Sequence, residues 1–142
     1  MKYTREIEVT GEPADVFTYL ADFSHTAEWD PGVEESRRLT DAPTRVGSRF
    51  ELIASFRGNR QRFEYVVTDY DEPRRIALRG EGQKAVSDDV IMVSGGAAGR
   101  TRIAYEADIR LKGVLRVAEP FLRGTFTKMG DDALEGLKAK LG

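Results

Sequence analysis

Residues 119–142 read EPFLRGTFTKMGDDALEGLKAKLG, and the period of their apolar residues differs from that of the chain before them. These apolar side chains recur every three or four residues, which is the spacing of one face of an α-helix. Glu119 and Pro120 stand near the predicted start. The segment predicts a long C-terminal helix whose apolar face the rest of the chain must cover. The residues of that face are Leu122, Phe126, Met129, Ala133, Leu137 and Leu141.

Three glycines, Gly124, Gly130 and Gly136, interrupt this predicted helix. Each costs about 0.5–1 kcal/mol relative to alanine in a helix. Two interpretations stand. The glycines allow a bend or the close approach of another segment, or they are tolerated because tertiary packing holds the helix.

The opening of the chain predicts one strand and two short helices. Residues 3–9 alternate in polarity, as a half-buried strand does. Pro13 suits the first turn of a helix, and Val16, Phe17 and Leu20 give that helix an apolar stripe. A second short helical or turn segment is predicted over residues 24–28.

Six further strands are predicted between these helices and the C-terminal helix. Turn-forming residues separate these strands, among them Gly58-Asn59, residues 80–83 and the glycine-rich stretch 94–99. Short runs at this spacing with polar outer faces favour an antiparallel sheet. The predicted strands span residues 33–39, 49–57, 61–70, 75–79, 85–93 and 101–111.

Composition narrows the class of protein. The chain has 142 residues, 40% of them hydrophobic and 32% charged, which predicts one folded domain over residues 1–142. A formal net charge of -2 lacks the basic excess of a nucleic-acid reader. No cysteine is present, so disulfides and thiolate chemistry are excluded. No apolar stretch is long enough for a secretion signal or a transmembrane span, so we expect a cytoplasmic protein.

The sequence resembles the START-like (SRPBCC) superfamily, which includes polyketide cyclase/dehydrase and lipid-transport proteins. The resemblance rests on residues 12–17 (EPADVF), 20–22 (LAD), 29–33 (WDPGV) and 99–103 (GRTRI), together with the order of elements along the whole chain. It implies an α+β helix-grip fold. A seven-stranded antiparallel sheet would wrap around the long C-terminal helix, with two short helices after the first strand and a cavity beneath the helix.

Within that fold, the last predicted strand would point Ile103, Tyr105 and Ala107 inward. Pairing the preceding strand symmetrically about Ala97 places Ile91 near Ile103 and Asp89 near Tyr105. An inward carboxylate is costly unless it finds a hydrogen-bond partner, a water or a ligand donor. A bulge would instead turn Asp88 inward.

Arg5 shares the inward parity of Ile7 and Val9. It would pair with Asp89 or with an anionic ligand, or lie at the sheet edge, which is the commoner arrangement for such an arginine. Trp29 is expected at the cavity mouth, either contacting a ligand or plugging the core. Aromatic walls with few polar groups suit apolar ligands. The candidate ligand-binding residues are Trp29, Phe50, Phe56, Phe63, Tyr65, Asp89, Ile91, Tyr105, Phe121, Phe126 and Met129.

Catalytic and metal constellations are weak. His25 is the only histidine, and Ser24 beside it suits a helix N-cap better than a nucleophile. No metal-ligand or phosphate-binding spacing is present, so no metal and no cofactor are expected.

The leading hypothesis is a protein that binds an apolar or amphipathic small molecule such as a lipid, isoprenoid or polyketide-like compound. One alternative is a cyclase/dehydratase-like enzyme that uses the same cavity, with Asp89 and the tyrosines handling protons. The other is a protein-interaction module. The oligomeric state is left open.

Overall fold

A computed structural model describes the whole chain, residues 1–142. The chain runs from β1 through two short helical segments and six more strands to a long C-terminal helix. The strands are β1 (Lys2–Thr10), β2 (Val33–Arg38), β3 (Arg49–Phe56), β4 (Asn59–Asp71), β5 (Arg75–Gly82), β6 (Ala85–Gly95) and β7 (Arg100–Leu111). The α-helices are α1 (Pro13–Ala21), α2 (Thr26–Trp29) and α3 (Glu119–Leu141), with 3-10 helices at Phe23–His25 and Gly113–Ala118.

The seven strands form one antiparallel sheet in the order β1-β7-β6-β5-β4-β3-β2. The 23-residue helix α3 packs on its concave face, against β1 among others. The α+β helix-grip prediction is confirmed, with its order of elements.

The filled core lies at the end of the sheet that α1 and the first 3-10 helix cover. Phe17, Leu20 and Phe23 from these segments are almost fully buried. They pack with residues of β1, β3, β5 and β6 in one core cluster, which also includes Leu134 and Leu137 of α3. The short helices therefore close one end of the space between sheet and long helix.

The segment after α1 corrects one capping prediction. Asp22, not Ser24, caps the 3-10 helix, because its Oδ1 accepts from the Ser24 amide at 3.0 Å. His25 stacks on Tyr19 with ring centroids 4.5 Å apart, and its Nδ1 lies 2.9 Å from the Tyr19 carbonyl oxygen. The side chain of the only histidine therefore makes its contacts on the outside of the molecule.

The fifth strand corrects one turn prediction. Residues 80–82 were expected in a turn, but β5 continues through Gly80 and Gly82, which lie opposite Tyr65 and Phe63 on β4. A Cβ on Gly80 would lie 2.5 Å from the Tyr65 ring, and one on Gly82 would lie 2.7 Å from the Phe63 ring. The glycines are therefore strand residues that let two aromatic rings lie flat across the neighbouring strand.

Candidate ligand-binding cavity

A cavity of about 850 Å³ lies between the sheet and the N-terminal half of α3. Its exposed lining residues, among them Lys2, Asn59, Lys84, Leu115 and Arg123, gather where the β3–β4 hairpin, the β5–β6 turn and the start of α3 meet. This is the mouth. Its buried lining residues, among them Trp29, Tyr65 and Asp89, define the closed end, next to the filled core.

Aromatic side chains form much of the wall. At the mouth, Phe56 from the β3–β4 hairpin stacks on Phe126 of α3, with centroids 5.1 Å apart and planes 9° from parallel. Deeper in, Phe63 and Tyr65 lie on β4, and Trp29 meets Tyr105 edge-on at 6.3 Å. Most of the lining residues are hydrophobic.

Glycines on α3 set how closely the helix approaches the elements beneath it. A Cβ on Gly130 would lie 2.6 Å from the Tyr3 ring, and one on Gly136 would collide with the Trp29 carbonyl oxygen. A Cβ on Gly124 would meet nothing within 4 Å. Two of the three glycines thus allow close approach, and the third faces open space.

The closed end carries a hydrogen-bonded carboxyl group. Asp89 on β6 is 4% exposed. Its Oδ1 accepts from the Ser87 hydroxyl at 2.5 Å, and its Oδ2 accepts from the Tyr105 hydroxyl at 2.6 Å. Because no bulge interrupts the pairing of β6 with β7, Ser87 and Asp89 keep the inward face and Asp88 faces outward to Arg110.

The strand register differs from the predicted one by two residues. Asp89 lies opposite Ala107 and Ile91 opposite Tyr105, because the turn is centred one residue later than assumed. A shift of two residues preserves the face of every side chain. The contact between Asp89 and Tyr105 survives as a diagonal hydrogen bond.

Burial dominates the electrostatics of this end. It raises the pKa of Asp89 to about 6, although the hydrogen bonds from Ser87 and Tyr105 oppose the rise. Burial, with the Asp89 charge next, also raises the pKa of both Tyr65 and Tyr105 well above the ordinary tyrosine value. The tyrosines therefore stay protonated donors at neutral pH.

Asp30 is a second inward carboxyl that sequence reasoning missed. It lines the cavity, and its Oδ1 accepts from the Gly32 amide at 2.8 Å. Burial, and to a lesser degree the charges of Asp89 and Asp132, raise its pKa to about 6. The Asp-Pro-Gly run signals a turn, and nothing in it shows that the turn folds its carboxyl into the interior.

Neither inward carboxyl has a cation beside it. Arg5 has Asp131 and Glu135 of α3 as its ion-pair partners, at the edge of the sheet. The cations that line the cavity, Lys2, Lys84 and Arg123, lie at the mouth. The cavity is therefore apolar along its length, acidic and donor-rich at its closed end, and basic at its opening.

The structure places eight of the predicted site residues in the cavity lining. Trp29 was expected at the mouth and lies instead at the closed end, 4% exposed, as a plug would. The lining residues from that set are Trp29, Phe56, Phe63, Tyr65, Asp89, Tyr105, Phe126 and Met129.

Three predicted residues are not in the lining. Phe50 and Ile91 face inward but are fully buried in the filled core, where α1 and the first 3-10 helix leave no space. Phe121 is 84% exposed on the outer side of α3. The helical period already placed Leu122 on the inner face, and the adjacent residue is turned about 100° away from it.

The comparisons with known proteins agree with this architecture. The model of the polyketide cyclase / dehydrase and lipid transport family matches residues 1–142. No curated protein matches the chain in sequence.

Solved structures share the fold at low sequence identity. A START superfamily protein from Mycobacterium smegmatis has a TM-score of 0.76 at 17% identity, covering 99% of both chains. A Thermus thermophilus protein has a TM-score of 0.83 at 14% identity, covering 99% of this chain and 97% of its own. The Zhui aromatase/cyclase from a Streptomyces species has a TM-score of 0.82 at 16% identity, covering 99% of this chain and 93% of its own.

The fold is thus that of the START-like proteins. The chain belongs to the polyketide cyclase / dehydrase and lipid transport family. None of the helices combines the length and the apolar character that a membrane span requires. No three His, Asp or Glu side chains are grouped so that they could hold a metal ion.

Proposed function

We propose that the protein binds an amphipathic small molecule, with an apolar body along the aromatic wall and a polar group at the closed end. The observation that carries this proposal is an apolar cavity of about 850 Å³ that ends in Asp30, Asp89 and Tyr105. This volume lies within the range of small-molecule sites, about 300–1,000 Å³. Consistent with a chain that has no cysteine, we place this binding in the cytoplasm.

The polarity of the cavity supports one orientation of the guest. Burial of apolar surface supplies about 25 cal/mol per Å² and favours an apolar body between Phe63 and Phe126. At the closed end, carboxylates without cations favour a hydroxyl or amine that donates to them, because such a donor offsets their desolvation. The guest therefore enters polar end first.

Trp29 gives this proposal a direct reporter, because it is the only tryptophan and lines the closed end. The probe is N-phenyl-1-naphthylamine, titrated while energy transfer from Trp29 is recorded. Transfer that saturates with the probe supports the proposal.

A matched pair of variants on β7 separates the cavity from the outer surface. Ala107→Phe fills the lining, whereas Ala104→Phe adds the same ring to the opposite face of the strand. Transfer should be lost in Ala107→Phe and kept in Ala104→Phe. Equal transfer in both would place the probe outside the cavity and overturn the proposal.

One specific observation favours a second candidate function, proton-transfer catalysis on a polyketide-like chain. Asp89 combines a pKa of about 6 with a position in the cavity wall and a hydrogen bond from Tyr105. Such a carboxyl gives and takes protons near neutral pH. The Zhui aromatase/cyclase shares the fold.

In this second candidate, Asp89 takes a proton from a carbon between two carbonyls of the guest. That carbon bonds to the carbon of a third carbonyl of the same chain, and Asp89 returns its proton to the oxygen of that carbonyl, which becomes a hydroxyl. The hydroxyl and the remaining hydrogen of the attacking carbon then leave together as water, and a carbon–carbon double bond forms between the two joined carbons. The test incubates the protein with a linear poly-β-ketone thioester and follows the cyclised, dehydrated product by mass spectrometry. Product loss in Asp89→Asn, with probe binding retained, would support the candidate, and equal turnover would exclude it.

A further inference from the structure

Residues 113–123, which form the second 3-10 helix and the start of α3, border the cavity mouth. This segment carries an apolar stripe on its outer side. Val114 is 85% exposed, Val117 is 78% exposed and Phe121 is 84% exposed. Their spacing of three and four residues places them on one face of the continuous 3-10 and α-helical stretch. Leu115 and Leu122, on another face, line the cavity. This segment is therefore apolar both toward the cavity and toward the solvent.

Outside this segment the large exposed hydrophobic residues are Val46 and Met92. Single exposed apolar side chains are ordinary on protein surfaces, whereas a grouped set marks an interaction site. Leu115 lines the cavity and is itself 40% exposed, so apolar surface continues from the outer side chains of this segment to the mouth. We call Val114, Val117 and Phe121 the mouth stripe.

Unpaired cations gather around the same opening. Most lysines and arginines of the chain pair with a carboxylate. Eight have no ion pair. Lys2, Lys84 and Arg123 line the mouth, while Arg57 in the β3–β4 hairpin and Arg116 in the second 3-10 helix lie on elements that border it. Arg45, Arg100 and Lys138 lie elsewhere.

The acidic groups nearby leave this excess in place. Glu81 is paired with Lys112, and Asp108 is paired with Arg110 and the N-terminus. Glu119 accepts from the Leu111 amide at 2.9 Å and is the one carboxylate within the segment itself. The rim of the mouth is therefore positive, although the whole chain has a formal charge of -2.

We propose that the mouth stripe and its cations form a docking surface for an anionic membrane, with the cavity opening toward the bilayer. A helical segment with apolar residues on one face and flanking arginines is the pattern of an interfacial anchor. Cations at a membrane surface are each worth about fivefold in affinity. A second copy is a poorer occupant, because a symmetric contact through this patch would bring Arg116 and Arg123 near their own copies.

The test is co-sedimentation of the full chain with vesicles of phosphatidylcholine, with and without phosphatidylglycerol. We expect binding to the anionic vesicles, weakened by salt because the charges at the rim are screened. Arg116→Glu with Arg123→Glu should lower the affinity by about 25-fold or more. Arg45→Glu, which reverses an unpaired cation outside the rim, should leave it nearly unchanged.

A second pair of variants tests the apolar stripe. Val117→Glu with Phe121→Glu should abolish sedimentation with the anionic vesicles, whereas Val46→Glu should not. Val46 is a matched control because it is 60% exposed and precedes β3, at the far end of the sheet from the β3–β4 hairpin. Unchanged Trp29 fluorescence in each variant shows that the fold is kept.

Several outcomes would overturn this proposal. These are no binding to the anionic vesicles, equal losses in the stripe and control variants, or self-association through the stripe with no vesicle binding. An acidic protein that competes for the rim while vesicles do not bind would do the same. The vesicle assay contains no cavity probe, so its result is independent of the proposed small-molecule binding.

Discussion

The hydroxyl of Tyr105 donates to Oδ2 of Asp89 at 2.6 Å, across two neighbouring strands and at the closed end of an apolar cavity. This bond places a proton donor beside a carboxyl group that has no cation near it. Burying this carboxylate therefore costs free energy in the ligand-free protein, and a guest that donates a hydrogen bond to it would offset that cost.

Stability should depend on pH through Asp89. Its pKa is about 6 in the folded protein and 3.8 as a reference value, so between these pH values the folded state binds more protons than the unfolded chain. The free energy of unfolding should therefore fall as the pH rises from about 4 to about 6. A difference of about two pKa units corresponds to about 3 kcal/mol.

Asp89→Asn should accordingly raise the free energy of unfolding at pH 7 by up to about 3 kcal/mol, and by less at pH 4. Urea unfolding across this pH range measures the effect. Asp88→Asn is the control, because Asp88 faces solvent beside Arg110 and its loss should change stability by less than about 1 kcal/mol. Equal effects of the two variants at pH 7 would contradict this account.

Tyr105→Phe should raise the pKa of Asp89 by about one unit, because the carboxylate loses a donor that favours its charged form. The carboxyl carbon resonance of Asp89, followed by NMR during a pH titration, reports the midpoint. Tyr19→Phe removes a hydroxyl that donates to Glu28 on the surface and should leave the Asp89 midpoint in place. A midpoint that stays put in Tyr105→Phe would show that the bond is absent in solution.

Two glycines of α3 should respond oppositely to the same substitution. Gly136→Ala should lower the free energy of unfolding by about 1–3 kcal/mol, because the new Cβ collides with the Trp29 carbonyl. Gly124→Ala should raise it by about 0.5–1 kcal/mol, because its Cβ meets open space and alanine favours the helix. Thermal unfolding of both variants checks the difference, and two changes of the same sign would be incompatible with the packing described.

The glycines of β5 should matter for the shape of the cavity wall. Gly80→Ala should cost about 1–3 kcal/mol and displace the Tyr65 ring, which lies 2.5 Å from the added Cβ. Gly95→Ala, at the end of β6, meets nothing within 4 Å and should change stability by less than about 0.5 kcal/mol. Chemical unfolding and the aromatic NMR signals of Tyr65 report both effects, and an unmoved ring in a fully stable Gly80→Ala would contradict the prediction.

Most of the fold could be predicted because the polarity pattern within a strand or helix indicates its type and its buried face. The alternation in β1, β6 and β7 and the three-to-four spacing in α3 each follow from burial on one face. Even where the predicted register was off by two residues, the inward face of Asp89 was right, since side-chain direction depends only on parity. The predicted end of β5 was wrong because Gly80 and Gly82 have no side chains to show a polarity pattern, and glycines at this spacing are typical of a turn.

The cavity-lining residues were harder to predict. Whether a side chain lines the cavity depends on its position along the strand as well as on the face of the sheet to which it points. Phe50 and Phe56 share one face of β3, yet the first lies under the short helices and the second at the mouth. Asp30 was missed because a turn sequence does not reveal which way its carboxyl points. No local pattern encodes where the short helices stop filling the interior.

A crystal structure of the protein grown with 6-bromo-2-naphthol, with the bromine located by anomalous scattering, would show whether an amphipathic guest lies in the cavity with its polar group at the closed end. We expect one bromine site within the cavity, on the mouth side near Phe56 and Phe126, and a naphthol oxygen within hydrogen-bond distance of Asp89 or Asp30. Side chains that fill the space beneath α3 and leave no bromine inside would contradict it. So would a bromine at the closed end with the hydroxyl toward the mouth.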